Sequence, residues 1–576
     1  GYAGSGIERK NYYYDHGNRL IEFNSYGLSY DTFGRIKTFS SPRANFLTYN
    51  YNGFNLGGTL NNITFANGQK RCYTYDEDNR LIGIGDGTRE KYSFVYGPDG
   101  KLVAIKDTHN GQVTKYVDDG VKKGIEVTDI LGGTWHKYEK SYESFVEYVN
   151  GVTYEKAFTL DRDNRLTKTS WTANGSSVSH NITYDNLGRI GSTSLKSENN
   201  GTTKNILNTS FSYAAASNSK QTNRISGISY SNDSYSKNIS YSYDNSGRIL
   251  MSDDITYVYD TAGRLSRVND PKYGTKVYIY NNRGNISAVQ SYAYTTGELG
   301  ELLDTKTYTY GNSAWSDQLT EYDGNAITYD SVGNPTNYMG KQFEWSNGRE
   351  LSEYNLPDGS CYQYKYDVGG QRITKYHDYG SSVGFFNETY KFTYSEGRLT
   401  SQSVCSFSFP YSTQMYFHYS SDGEILGFEY VDSNGTTSEH YYAKNKQGDI
   451  IAVFDSEGNL EGQYEYDAFG KLLAITDADG NEVTGLNMAA INPIRYRGYY
   501  YDNETGFYYV NSRYYDPSTG RFINPDTPEK IIEGEAAYTY CGNDPVNNVD
   551  PTGMDIVSVG DGYYVLEGWS EHQYNT

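Results

Sequence analysis

The sequence predicts an all-β protein: one long antiparallel β-sheet of hairpins wound on itself, both faces partly solvated, with room to enclose a cavity. Three observations predict it. A unit of the form Tyr-x-Tyr-Asp-x-x-Gly-Arg-(Leu/Ile) recurs from one end of the chain to the other, aromatic residues make up 16% of the chain and sit at strand spacing, and no helical periodicity is sustained to compete with them.

The clearest copies are Tyr241-Ser242-Tyr243-Asp244 with Gly247-Arg248-Ile249, and Tyr257-Val258-Tyr259-Asp260 with Gly263-Arg264-Leu265. Tyr184-Asp185, Tyr329-Asp330, Tyr364-Lys365-Tyr366-Asp367 and Tyr466-Asp467 open further copies, and degenerate ones keep the frame around Tyr75-Asp76, Leu160-Asp161 and Tyr394. Each copy reads as half a hairpin. Tyr-x-Tyr puts two rings on one face of a strand, Asp and Gly make the turn, and Arg-x-(Leu/Ile) starts the return strand. Residues 1–440 carry these repeats; the marker-poor stretches at 121–157 and 191–225 are read as longer hairpins or loops. From 441 to 553 the texture becomes a dense aromatic block, and 554–576 carry no repeat marker and look like the opening of something else.

Composition narrows the architecture. Exchanging Tyr for Gly in the 36% hydrophobic count changes it little, because the chain has 64 Tyr and 61 Gly. The result lies well below the roughly 45–50% of a globular domain, so one solid ball is excluded. The net charge of −21 leans towards disorder, but disordered chains are poor in aromatics. A thin wall fits better, with Tyr rings packed against cross-strand neighbours and their hydroxyls wet.

The acidic balance excludes a nucleic-acid-binding surface, which needs clustered Lys and Arg. No apolar run is long enough to span a membrane. Gly1 is not an initiator and the chain opens inside a repeat, so a preceding part is expected. Cys72, Cys361, Cys405 and Cys541 lie far apart and form neither a metal motif nor a disulfide framework. His136 and His418 are read as strand residues, since the eight histidines form no HExxH or HxH pattern. Asp and Asn crowd the turns, where Asx side chains closing their own turns explain them more simply than Ca²⁺. No metal and no cofactor is expected.

The aromatic block contains Arg513-Tyr514-Tyr515-Asp516-Pro517 running to Gly520-Arg521-Phe522, and closes on Pro545-x-x-x-x-Asp550-Pro551-x-Gly553. With the repeats, these phrases resemble the RHS/YD-repeat proteins and their C-terminal RHS-repeat-associated core, in the spelling of Gram-positive polymorphic toxins. Teneurins, animal adhesion receptors, have a similar barrel. The resemblance implies a β-cocoon closed at one end by the core, with the chain's own C-terminal toxin domain held inside as cargo. It also implies a secreted or cell-surface bacterial protein, an immunity protein for the cargo and a secretion or delivery apparatus.

The resemblance further implies a single-turnover aspartyl protease that cuts the chain just beyond the Asp-Pro-x-Gly motif, at Met554–Asp555. Two carboxylates close enough to share a proton would serve as base and acid. Asp550 matches the second aspartate of the family, Asp526 occupies the place of the first, and Arg513 matches an arginine that holds the pair or stabilises developing charge. This chain departs from the better known form of the motif, since Asp526 precedes Thr527 rather than Pro and the spacing to Asp550 is longer. Asp-Pro also has a purely structural use, with Pro presetting the backbone and Asp capping the turn, as expected at Asp516-Pro517 and Asp544-Pro545. Arg513 has its own structural alternatives, pairing with a buried carboxylate or stacking on Tyr514 and Tyr515. Two other functions compete with the toxin shell: an extracellular adhesion module binding carbohydrate or a partner through exposed Tyr rows without cleavage, and an inert structural wall.

Overall fold

A computed structural model describes residues 12–559, apart from 24–25, 42–43, 54–57, 216–220, 381–386, 407–411 and 528–536. Among the described residues, 42 strands form one antiparallel sheet from Tyr12–Tyr14 to Leu472–Thr476, each pairing with the next in sequence. The marker-poor stretches are strands too, the longest being Thr202–Ala215 and Gln221–Ser231. Of the expected C-terminal segment, 560–576 lie outside the described residues, as do residues 1–11.

The repeat explains itself at Asp244. Its Oδ1 accepts the backbone N–H of Ser246 at 2.8 Å and of Arg248 at 2.9 Å, closing the turn, while Oδ2 accepts Arg248 Nε at 2.8 Å. Gly247 takes φ +91° there, a conformation that side-chain-bearing residues avoid. The Arg248 guanidinium then lies 4.7 Å from the ring centre of Tyr259, the tyrosine of the next repeat, whose hydroxyl donates to Ile249 O at 2.6 Å. Asp185, Arg189 and Tyr213 repeat the arrangement, with Tyr213 donating to Ile190 O at 2.7 Å. Each unit is thus Asp to its own turn, Arg to the next ring, and Tyr back to the previous carbonyl. The expectation of wet hydroxyls needs correction here, because in these tyrosines the hydroxyl satisfies a strand carbonyl.

The sheet winds back on itself, and the offset between contacting residues measures each wrap. Gln69 Nε2 donates to Trp345 O at 3.0 Å, 276 residues on, and Tyr154 OH to Glu429 at 2.8 Å, 275 on. Further along, Asn232 Nδ2 meets Gly458 O at 2.7 Å across 226 residues, and Lys276 Nζ meets Asp467 at 2.9 Å across 191. The spiral therefore narrows towards the C-terminal end. At the seam His136 and Glu147 pair at 3.0 Å inside the first wrap, and Ser395, Thr400 and Tyr416 of the second donate to the same carboxylate. His136 and His418 lie in strands, and the four cysteines are free thiols. Among the described residues no helix is long and apolar enough to cross a membrane.

At the narrow end a four-stranded sheet, Tyr500–Asp502, Phe507–Val510, Arg513–Asp516 and Arg521–Phe522, packs against the wall. Asn543 Nδ2 donates to Gly284 O at 2.8 Å, Arg521 Nη1 to Asn285 Oδ1 at 2.9 Å, and Arg497 pairs with Asp449 at 2.7 Å. The most buried tie is ionic. Asp502 takes Arg372 Nη1 at 2.6 Å and Lys375 Nζ at 3.2 Å, and Lys375 also meets Glu504 at 3.0 Å. Burial raises the Asp502 carboxyl, but Arg372 and Lys375 outweigh it and hold it below the usual range.

Candidate functional site

The motif residues meet at this small sheet. Arg513 opens the third strand of the sheet, Asp526 lies beyond the fourth, and Asp550 follows the short strand Asn548–Val549. Asp526 is tied back by its own N–H, which donates to Ala537 O at 2.8 Å. Asp550 is fixed through Tyr499, whose hydroxyl donates to Asp550 O at 2.8 Å.

Arg513 Nη2 stands 2.9 Å from Asp526 Oδ2 and 3.1 Å from Asp550 Oδ2, so the two carboxylates face each other across one nitrogen. All three side chains are almost fully buried. The guanidinium stacks 3.6 Å from the ring centre of Phe522, rather than on the neighbouring Tyr514 or Tyr515. Its Nε donates to Gly553 O. Asp550 Oδ1 accepts the N–H of Met554 at 2.9 Å and of Asp555 at 3.1 Å. Burial pushes the Asp550 carboxyl up to about 6; Arg513 and the Asp555 N–H pull it down, and the Asp526 charge pushes it further up.

The other motif residues shape the segment. Gly553 has φ +77°, and a Cβ there would collide with Val510 O and Ser512 Oγ. Pro551 O accepts Asn511 Nδ2 at 3.1 Å, and Pro545 O accepts Arg497 Nη2. The Asp-Pro pairs elsewhere cap turns as expected: Asp516 Oδ1 takes Ser518 N at 2.8 Å, and Asp544 Oδ1 takes Asn547 N at 3.3 Å. Sequence reasoning did not single out Asn511, Ser512 or Tyr499. The first two directly precede Arg513, which was the available signal; Tyr499 is one tyrosine in an aromatic run and carried none.

The arrangement holds residues 551–555 against the Asp550 carboxylate and the Arg513 side chain, with Asp526 paired to the same guanidinium. Comparison with known proteins gives the frame for it. A family model described as Teneurin YD-shell matches residues 255–546, half of the chain. The chain belongs to the teneurin YD-shell family. This YD-shell protein is 31% identical over 267 residues to the tRNA3(Ser)-specific nuclease WapA of Bacillus spizizenii, covering 44% of the chain and 10% of that relative. It is 24% identical over 275 residues to the toxin protein Tse5 of Pseudomonas aeruginosa, covering 43% of the chain and 20% of that relative. The chain therefore spans a small part of the length of these relatives. The crystal structure of TcdB2-TccC3 superposes on 95% of the chain with a TM-score of 0.70 and 17% identity, and the match covers 30% of that chain. The Photorhabdus luminescens Tc holotoxin pore gives a TM-score of 0.68 over 97% of the chain, again at 17% identity and 30% of that chain. The spiral YD sheet is thus a fold shared with solved shells.

Proposed function

We propose that this YD-shell is the container of a secreted bacterial polymorphic toxin, which houses a C-terminal cargo and separates from it by aspartyl-type self-cleavage after Met554. The observation that carries this reading is the contact of buried Asp550 with the amide nitrogens just beyond Gly553, with Arg513 and Asp526 beside it. The names of the relatives, a tRNA nuclease and a toxin protein, support the class of cargo. The 1–440 repeat shell, the 441–553 core and the 554–576 start of cargo are its working parts.

In the proposed reaction Asp526 takes a proton from water as the oxygen attacks the Met554 carbonyl carbon. Asp550 Oδ1 accepts the Asp555 N–H at 3.1 Å before reaction; in the tetrahedral intermediate, where that nitrogen becomes basic, protonated Asp550 gives it a proton as the C–N bond breaks. The products are a carboxyl at Met554 and an amine at Asp555. Arg513, between both carboxylates, offsets the negative charge that develops. The cut segment is part of the chain itself, so each molecule reacts once.

The test is the mass of the freshly purified chain, native and denatured, beside Asp550→Asn and Asp526→Asn, away from strong acid because Asp550–Pro551 is itself acid-labile. The expected result is a denatured species ending at Met554 that stays with the small fragment under native conditions and is absent from both variants. An intact mass in all three overturns the protease reading and favours a surface-binding YD module.

A further inference from the structure

Asp550 alone does not choose which bond is cut. Its Oδ1 lies 2.9 Å from the nitrogen of Met554 and 3.1 Å from that of Asp555, so both the Gly553–Met554 and the Met554–Asp555 amides are within its reach. The choice has to come from whatever holds the other edge of the segment. Three consecutive side chains hold it by three consecutive carbonyls. Asn511 Nδ2 donates to Pro551 O at 3.1 Å, Ser512 Oγ to Thr552 O at 2.7 Å, and Arg513 Nε to Gly553 O.

We propose that Asn511 and Ser512 are positioning residues that fix the register of the segment, so that one peptide bond and not its neighbour is cleaved; this rests on the self-cleavage reading above. Residues 551–554 bend back over Asp550, whose Oδ1 also accepts the Thr552 N–H at 3.3 Å, so a small shift of the bend replaces one amide by the next at Asp550. The ladder resists that shift at each rung. Ser512 does so twice, since its Oγ also walls the niche in which only Gly553 fits.

The turn that carries the ladder is itself held in a costly shape. Asn511 sits at φ +52°, and Ser512 N–H donates to Val510 O at 2.5 Å, closing a tight three-residue turn. Positive φ is tolerated by Asn better than by most residues, yet such turns are rare and strained. The surrounding structure maintains it: Tyr509 OH donates to Asn511 O and is in turn approached by Arg372 N–H at 2.8 Å. Strain kept in place by several contacts is a mark of a backbone whose geometry is used.

The experiment follows the full chain in cell-free synthesis with a pulse of label, reading both the rate of cleavage and the mass of the shell product. Asn511→Gly keeps the positive φ and deletes the amide; Ser512→Ala deletes the hydroxyl; Ser512→Thr keeps it. The expected result for Asn511→Gly and Ser512→Ala is cleavage slowed by about tenfold to a hundredfold, as for misplaced reacting groups. They should also give two shell products one methionine apart, while Ser512→Thr gives back a single product. A single product of wild-type mass at the wild-type rate in Asn511→Gly and Ser512→Ala overturns the proposal. If Ser512→Ala does not fold, Asn511→Gly decides alone. Failure of the wild-type chain to cleave sinks the self-cleavage reading and this proposal with it. Cleavage that persists in Asp550→Asn sinks the dyad only, because the product masses still report the ladder.

Discussion

Asp244 in the wall and Asp550 in the core each close a turn, Oδ1 accepting the N–H two and four residues on, and they differ in what surrounds the carboxylate. Asp244 sits in a hairpin turn at the rim. Its slight burial raises its carboxyl, but the Arg248 N–H and guanidinium outweigh that and hold it below the usual range. Asp550 is 1% exposed, shares the Arg513 cation with Asp526, and is pushed up to about 6. The wall aspartate is a fixed charge that builds a turn and orients an arginine under the next ring. The core aspartate is kept near the point where it can give or take a proton. The difference teaches that closing a turn does not by itself assign an aspartate its role; the burial and charges around the carboxylate do.

The largest effect that would sharpen the contrast is at Asp502. Asp502→Ala leaves Arg372 and Lys375 beside Glu504 in a dry site, and removing one partner of a buried ionic group costs about 3–5 kcal/mol. Denaturant unfolding of the full chain should register that loss, whereas Asp244→Ala at the rim should move the midpoint far less. Equal losses at the two positions would break the distinction between wall and core.

A second test reads pH. The Asp550 carboxyl is raised in the fold from 3.8 to about 6, so its neutral form is favoured below that pH and lost above it. If Asp550 is the acid of the proposed cleavage, the rate constant should fall as pH rises from 6 to 8, by about tenfold per unit. A flat profile over that range would remove the acid role. The smallest effect is at the repeat staple: Tyr280→Phe deletes the hydroxyl that donates to Leu265 O at 2.6 Å while keeping the ring under Arg264, and should cost about 1 kcal/mol in thermal unfolding.

The hairpin wall was legible because its signals are local. Tyr-x-Tyr, Asp and Gly fall within a few residues of each other, and the turn they make depends on little else. The meeting of Arg513, Asp526 and Asp550 was legible only through the resemblance of their phrases, since nothing in the spacing of 513, 526 and 550 says that they converge. What escaped was set by distance along the chain. The Gln69–Trp345 contact and the Arg372–Asp502 pair join residues with no sequence pattern in common. The tyrosine hydroxyls were misjudged for a similar reason, because their acceptors lie in the preceding repeat, 10 residues back at Tyr259 and 23 at Tyr213.

The shrinking offset between wraps, from 276 residues to 191, carries a consequence for how such a wall can change its length. In a linear solenoid each repeat touches only its neighbours, and a unit can be lost with local cost. Here each hairpin also has a fixed mate a full wrap away, as the threads of a tapered screw do. Deleting one hairpin pair midway would put every later thread against the wrong mate, so Asn232 would no longer find Gly458 nor Lys276 find Asp467. Length can be trimmed freely only at an end that has no thread beyond it, and a change elsewhere must be matched by a second one a wrap further on.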